Sequence, residues 1–160
     1  MVKTSNVEIV TATSICPGKY ISIVHGDVSA VENSVRMGKK VAGEYLVDDI
    51  VIPNVHSGVF PAIVSANMPD QILAVGIIES FSLATMVIAA DKILKSADLD
   101  PVELRLGTGL GGKSYFTFTG DVAAVKTGAA VGEEVIGSKG ELINCEVIPS
   151  PSKKLISSLF

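Results

Sequence analysis

The sequence is poor in residue types on which several kinds of fold and site depend. It has no tryptophan, only 5% aromatic residues and two cysteines among 160 residues. Two cysteines are too few for the disulfide framework of a small secreted domain. Cys16 and Cys145 are therefore thiols, each either functional or buried as a small hydrophobic group. With so few aromatic residues, the core must consist mainly of valine, isoleucine, leucine and alanine.

The chain also lacks a strong charge of one sign and long apolar segments. Its 13 basic residues face 17 acidic ones, for a net charge of −4, and no stripe of lysine and arginine is present. This balance argues against nucleic acid as a partner. The longest apolar segment, 83–90, is far shorter than the roughly 18 residues that span a bilayer, and the N-terminus has no apolar signal segment. We therefore expect a globular cytosolic protein with no membrane partner.

A tandem repeat is the most informative feature that the sequence does have. The segment GDVSAV at 26–31 returns as GDVAAV at 120–125, 94 positions later, and the match extends back to the GK pairs at 18–19 and 112–113. One loop differs, because residues 15–19 read ICPGK where residues 109–113 read GLGGK. A loop that differs between two copies of one scaffold is the expected place for function.

The second copy predicts the order β-α-β-β-α-β, an α+β fold in which helices pack on one face of an antiparallel sheet. Strands are predicted at 73–79, 101–106, 115–119 and 142–148, with a glycine-rich turn at 107–112. Ser82 and Asp121 are the predicted N-caps of the two helices. The core-facing positions follow helical spacing: Leu83, Met86, Val87, Ala90, Ile93 and Leu94 in the first helix, and Val122, Val125, Ala129, Gly132 and Val135 in the second.

The first copy predicts the same hairpin, with strands at 7–10 and 20–24, a helix that Asp27 caps, and a strand at 50–52. Its opening strand and most of its first helix have no counterpart, because alignment of Lys3 with Lys95 sets Met1 opposite Ile93. Such a half leaves apolar surface and a sheet edge uncovered. We therefore expect that the chain begins at an internal methionine of a longer protein, or that another chain completes this half.

The predicted elements divide the chain into two tandem domains. The first domain, N-terminally incomplete, is placed at 1–63, a linker at 64–70, the second domain at 71–152 and a C-terminal tail at 153–160. Pro61 and Pro69 favour an irregular connection over the wider segment 57–70. The tail has the pattern of a short amphipathic helix.

With this repeat, the sequence resembles the bacterial microcompartment (BMC) shell proteins that have tandem shell domains, and among them the iron–sulfur members of propanediol-utilisation compartments. The resemblance rests on the GDV helix starts, the strand ends VIP at 51–53 and 147–149, the segment TSICPGK at 13–19, and LVD at 46–48 with PNVH at 53–56. It implies two BMC domains, each a variant of the ferredoxin-like fold, over nearly the whole chain.

The resemblance implies a homotrimer shaped as a pseudohexameric tile. Such a tile packs edge to edge with other shell proteins in a microcompartment shell within the cytoplasm, and it is not an enzyme. The resemblance further implies that the Cys16 thiolates of three chains hold one 4Fe-4S cluster in the central pore. Its function would be electron transfer across the shell or cluster delivery, with a redox enzyme as a further partner. The other turn residues expected around the cluster are Pro17, Gly18, Leu110, Gly111 and Gly112.

Two other functions remain open on the sequence alone. One is a purely structural tile whose pore conducts a metabolite and holds no cluster. The other is a trimeric small-molecule sensor built on the same duplicated layout. In either case Cys16 is a free surface thiol, and Cys145 is a small hydrophobic group of its strand.

Several further motifs are expected to carry no separate activity. The segment GTGLGGKS at 107–114 has the written form of a P-loop, but a strand rather than a helix is predicted to follow it, so nucleotide binding is not expected. His25 and His56 have no triad partners at a suitable spacing and are expected to be satisfied polar surface residues. Lys3 and Lys95 match the edge lysines that the resemblance implies, which pair between neighbouring tiles, and plain solvation is their alternative.

Overall fold

The computed structural model describes residues 1–67, 69 and 71–159, with the side chains of 158 and 159 excepted. The first half contains β1 (Glu8–Ile15), β2 (Lys19–His25), α1 (Val28–Ala42) and a 3₁₀ turn at Gly43–Tyr45. A short helix, α2 (Val59–Val64), leads into the second half. There the elements are β3 (Ala74–Ser80), α3 (Leu83–Ser96), β4 (Asp100–Leu106), β5 (Ser114–Gly120), α4 (Val122–Gly137) and β6 (Leu142–Pro149), and α5 (Lys153–Leu159) follows.

The described residues form two separate antiparallel sheets. The second half forms a four-stranded sheet in the order β4-β5-β3-β6, so that β3 lies between β5 and β6. In the first half, the β1-β2 hairpin is the only sheet among the residues that the structure describes. The predicted α+β class, with helices on an antiparallel sheet, is confirmed, and the second half follows the predicted element order with bounds that differ by a residue or two.

The core lies between α3, α4 and the four-stranded sheet. Gly132 of α4 allows the close approach of this helix: a Cβ there would lie 2.8 Å from Cδ1 of Ile78 and 2.9 Å from Cδ1 of Ile93. Gly76 of β3 similarly lies directly beneath the Phe118 ring. The residues of the two helices that are buried are Thr85, Met86, Ala89, Ala90, Asp91, Ile93 and Leu94 in α3, and Val125, Gly128, Ala129, Gly132 and Ile136 in α4.

The first half is far less buried. In α1 only Ser34 is buried, and its hydroxyl has no hydrogen-bond partner. Gly38, the repeat counterpart of Gly132, lies against the Met1 side chain, whose Sδ would be 2.8 Å from an added Cβ. Met1 thus occupies the position that Ile93 has in the second half, as the alignment of the repeats predicts. Among the described residues, no strand or helix precedes β1.

Two predictions for the middle of the chain are wrong. Residues 50–52 form no strand, because their counterpart β6 pairs only with β3, and none of the described residues before β1 supplies an equivalent of β3. The connection 57–70 is not irregular throughout, since it contains α2. Val59 and Ala62 of this helix are buried, so apolar burial outweighs the effect of Pro61, which lies in the first turn of the helix where proline is tolerated.

Candidate cofactor site at the hairpin turns

Cys16 lies at the tip of the β1-β2 hairpin. Ile15 and Lys19 are the last paired residues of the two strands, so residues 16–18 form the whole turn. The Cys16 thiol is free and exposed, and the Cys16-Pro17 peptide is cis. Gly18 has a φ of +76°, a left-handed conformation that glycine adopts without strain. The turn therefore presents a single thiol to its surroundings.

The glycine-rich turn of the second half, residues 107–113, is closed by its own backbone hydrogen bonds. The Gly107 N–H donates to the Lys113 carbonyl at 3.0 Å, and the Lys113 N–H donates to the Leu110 carbonyl at 3.2 Å. The Lys113 ammonium lies 2.6 Å from Oε1 of Glu79 at the end of β3. This turn is thus anchored to the four-stranded sheet at its C-terminal end.

The two turns contact each other. A Cβ at Gly112 would lie 2.8 Å from Cδ of Pro17 and 3.0 Å from the Cys16 carbonyl oxygen. At the other end, a Cβ at Gly107 would lie 2.8 Å from Cδ1 of Ile15. The structure therefore brings Cys16, Pro17 and Gly112 together. Leu110 is half-buried in the same turn, and Gly18 and Gly111 are exposed with open space around their Cα atoms.

The second cysteine has a different environment. Cys145 lies on β6 opposite Ile78 and packs against the core. Burial, together with the negative charges of Glu133 and Glu146, raises the pKa of its thiol to about 12. Since metal ligands are thiolates, a thiol whose burial disfavours the thiolate form is a poorer ligand than an exposed one. This agrees with the prediction of a small hydrophobic group in a strand.

A single chain does not offer a complete metal site. Within the part of the chain that the structure describes, no three histidine, cysteine, aspartate or glutamate side chains are grouped so that they could hold a metal ion. Iron–sulfur clusters are generally bound by several thiolates. A cluster at Cys16 is therefore compatible with the thiol's chemistry and accessibility only if a symmetry axis brings together the turns of several copies.

The P-loop pattern at 107–114 is not followed by a helix. Ser114 is the first residue of β5, and its hydroxyl donates to the backbone carbonyls of Ser80 and Ser82. A P-loop instead directs backbone N–H groups and a helix N-terminus at phosphate. The prediction that a strand rather than a helix follows this pattern is confirmed.

Lys95 belongs to a polar network that the sequence analysis missed. Its ammonium donates to the Asn54 carbonyl at 2.7 Å and lies 2.7 Å from Oδ1 of Asp91, a buried carboxylate. That carboxylate also accepts a 2.7 Å bond from the His56 N–H, and the Gly58 N–H donates to Nδ1 of His56. Plain solvation of Lys95 is therefore wrong. The available signal was the aspartate four residues before this lysine, directly after the apolar segment 83–90.

His25 and Lys3 lie at the surface, away from the turns. Nε2 of His25 is 3.3 Å from Oε2 of Glu8, and its ring lies 5.2 Å from the ring of Phe60. The expectation of a satisfied polar histidine holds for His25 as it does for His56. Lys3 is exposed, so solvation describes it in the single chain.

Comparison with known proteins gives consistent matches. The BMC domain family matches residues 1–55 and 74–151. The chain is 39% identical over 155 residues to the bacterial microcompartment shell protein PduT of Citrobacter freundii, with 97% of this chain and 84% of that protein covered. None of the helices among the described residues is long and apolar enough to cross a membrane.

Two solved structures agree in fold. A microcompartments protein from Desulfitobacterium hafniense superposes with a TM-score of 0.91 at 45% identity, covering 96% of this chain and 86% of that one. A fused, permuted hexameric shell protein from the RMM microcompartment has a TM-score of 0.61 at 16% identity, covering 86% and 74%, and shares the fold. The chain therefore belongs to the BMC-domain family, whose members are structural proteins, not enzymes, that oligomerise and pack with other shell proteins into the microcompartment shell within the cytoplasm.

Proposed function

We propose that this chain is a trimeric shell tile in which the Cys16 thiolates of three copies hold one 4Fe-4S cluster at a central pore. The observation that carries the proposal is the exposed Cys16 thiol at the tip of a turn that the second turn supports from behind. Three copies around one axis supply three thiolates. One iron of the cluster is then left open to solvent, a small molecule or a partner.

The chain's own residues would bind and enclose the group. Cys16 supplies the ligand, and Gly18, which has no Cβ, leaves the backbone beside the sulfur open to a hydrogen bond of the kind that tunes a cluster. Pro17, Leu110, Gly111 and Gly112 are the other turn residues that would surround the cluster. When bound, the cluster supplies one-electron redox chemistry, for electron transfer across the shell to a redox enzyme or for delivery of the cluster itself.

A shell tile with an open, metabolite-conducting pore is the second candidate. The observation in its favour is the small size of the second turn's tip, where a Cβ at Gly109 or Gly111 would meet nothing within 4 Å. Turns of this kind leave free space if they surround an axis. In this alternative Cys16 has no ligand role.

Anaerobic purification distinguishes the two candidates. The native chain is isolated without oxygen, its oligomeric state is measured by light scattering, and iron and acid-labile sulfide are counted per chain. The proposal predicts a coloured trimer with one 4Fe-4S cluster per three chains, whose broad visible absorbance is bleached by reductant. Cys16→Ser should remove the iron, and Cys145→Ser, the matched control, should retain it.

A colourless trimer with iron far below one cluster per three chains would overturn the cluster and favour the open pore. Equal iron loss in both cysteine variants would also contradict the proposal, because Cys145 packs against the core from β6 and has no ligand role in the proposed site. A chain that forms no trimer at all would overturn both candidates.

A further inference from the structure

The contact between the turns distinguishes Gly112 from its neighbouring glycines. Gly109, Gly111 and Gly112 all have positive φ, at +73°, +63° and +87°, so each would be strained by a side chain to a similar degree. A Cβ at Gly109 or Gly111 would still lie in open space, whereas one at Gly112 would be too close to Pro17 and to the Cys16 carbonyl oxygen. Gly112 is thus required for the approach of the Cys16 turn as well as for its own φ.

The second turn is held in place independently of the first. Its backbone bonds, the Lys113–Glu79 ion pair and the Ser114 hydroxyl all join it to itself or to the four-stranded sheet. Ile15, which directly precedes Cys16, is only 7% exposed and lies against Gly107. The Cys16 turn therefore rests, through Ile15, Cys16 and Pro17, on a structure that the second repeat fixes.

We propose that Gly112 is a positioning residue for Cys16: it lets the glycine-rich turn of the second repeat support the cysteine turn of the first and so determines where the thiol stands. The proposal deepens the function proposed above and takes its significance from it. Cluster ligands must be held in place by the groups behind them. Because a symmetry axis repeats every displacement in each copy, an error at Gly112 would move all the thiolates of an assembly together.

The test compares Gly112→Ala with Gly111→Ala, which carries a similar φ strain without the contact. In the metal-free Cys145→Ser background, a nitroxide label on Cys16 reports the order of the turn through its EPR line shape. Gly112→Ala should make the label markedly more mobile, and Gly111→Ala should leave the line shape unchanged. In anaerobically prepared trimers, Gly112→Ala should reduce bound iron several-fold and alter the EPR spectrum of the reduced cluster, while Gly111→Ala should do neither.

A second pair keeps the test decisive if Gly112→Ala does not fold. Gly107→Ala places a Cβ against Cδ1 of Ile15, and Ile15→Val removes that atom. Gly107→Ala alone should mobilise the label, and the double variant should partly restore the native line shape. Identical spectra for Gly111→Ala and Gly112→Ala, or no mobilisation of the label by Gly107→Ala, would overturn the positioning role.

The outcomes also separate the two proposals. A difference between the label spectra of the matched variants in a native chain that binds no iron would support positioning and defeat the cluster. A native chain with a full cluster, in which both glycine variants bind iron equally and give equal label spectra, would support the cluster and defeat positioning.

Discussion

Helices α1 and α4 begin with the same Gly-Asp-Val sequence, but they are buried to very different extents. In α4, Val125 is fully buried, whereas its counterpart Val31 in α1 is only half-buried. The Asp121 carboxylate caps α4 by accepting a bond from the Ala124 N–H, and the Asp27 carboxylate makes no such bond. The comparison shows that local sequence suffices to form both helices, while burial depends on the strand and helix that pack against them.

Substitution of the two equivalent valines is the strongest test of this difference. Val125→Ala should lower the free energy of unfolding by about 2 kcal/mol, because it removes buried methyl groups and leaves a cavity. Val31→Ala should cost less than about 1 kcal/mol, since its side chain stays partly in water. Urea denaturation of the two variants measures both values. Equal losses would mean that α1 is as well packed in solution as α4.

The two helix caps give a smaller effect of the same kind. Asp121→Ala should destabilise the protein by about 1 kcal/mol, because the Ala124 N–H loses its acceptor at 2.7 Å. Asp27→Ala should change stability by less than about 0.5 kcal/mol, as no side-chain capping bond is lost. Thermal melts of both variants measure these effects, with the helix content checked by circular dichroism. Equal falls in the two melting temperatures would contradict the expected difference between the two caps.

Alkaline pH should weaken the second half through two groups. Burial raises the pKa of Cys145 from 9.0 to about 12, and burial with the hydrogen bond from its hydroxyl to Glu103 raises the pKa of Tyr115 from 10.0 to about 12. Both groups are neutral in the folded protein. Their contribution to the free energy of unfolding is therefore complete below the ordinary pKa of each group and is lost as the pH rises to about 12. The melting temperature should therefore fall progressively above pH 9.

Tyrosine substitutions separate the contribution of Tyr115 to the fall in melting temperature at alkaline pH. Tyr115→Phe should flatten the fall between pH 10 and 12, since the phenol that must ionise is gone. Tyr20→Phe is the control, because Tyr20 is 69% exposed. If the control flattened the profile as much as Tyr115→Phe did, the effect would not come from the environment of Tyr115.

The second half could be predicted closely from the sequence because each signal there agrees with the tertiary fold. Ser82 and Asp121 accept the predicted capping bonds, and the apolar positions of α3 and α4 face the sheet. Local preference, hydrophobic spacing and packing all favour the same structure in this region. The tandem repeat then allowed the same elements to be placed in the first half.

Apart from the predicted Asp27 cap, which makes no side-chain bond, the errors fall where structure depends on distant partners. The segment 50–52 has the composition of a strand, yet a strand forms only against a neighbour, and none of the described residues provides one. The helix α2 forms because Val59 and Ala62 find a buried surface on β4, which no local pattern reveals. Similarly, the contact of Gly112 with the Cys16 turn joins residues 96 positions apart and has no local signature.

The bonds of Lys95 tie the halves together. The Lys95 ammonium of α3, in the second half, donates to the Asn54 carbonyl of the first half. The Asp91 carboxylate, which pairs with Lys95, accepts a hydrogen bond from the His56 N–H of the same first-half segment. Both bonds bypass the covalent connection that runs through residues 59–73. A mechanical load placed on either half therefore passes into the other through these hydrogen bonds as well as along the backbone.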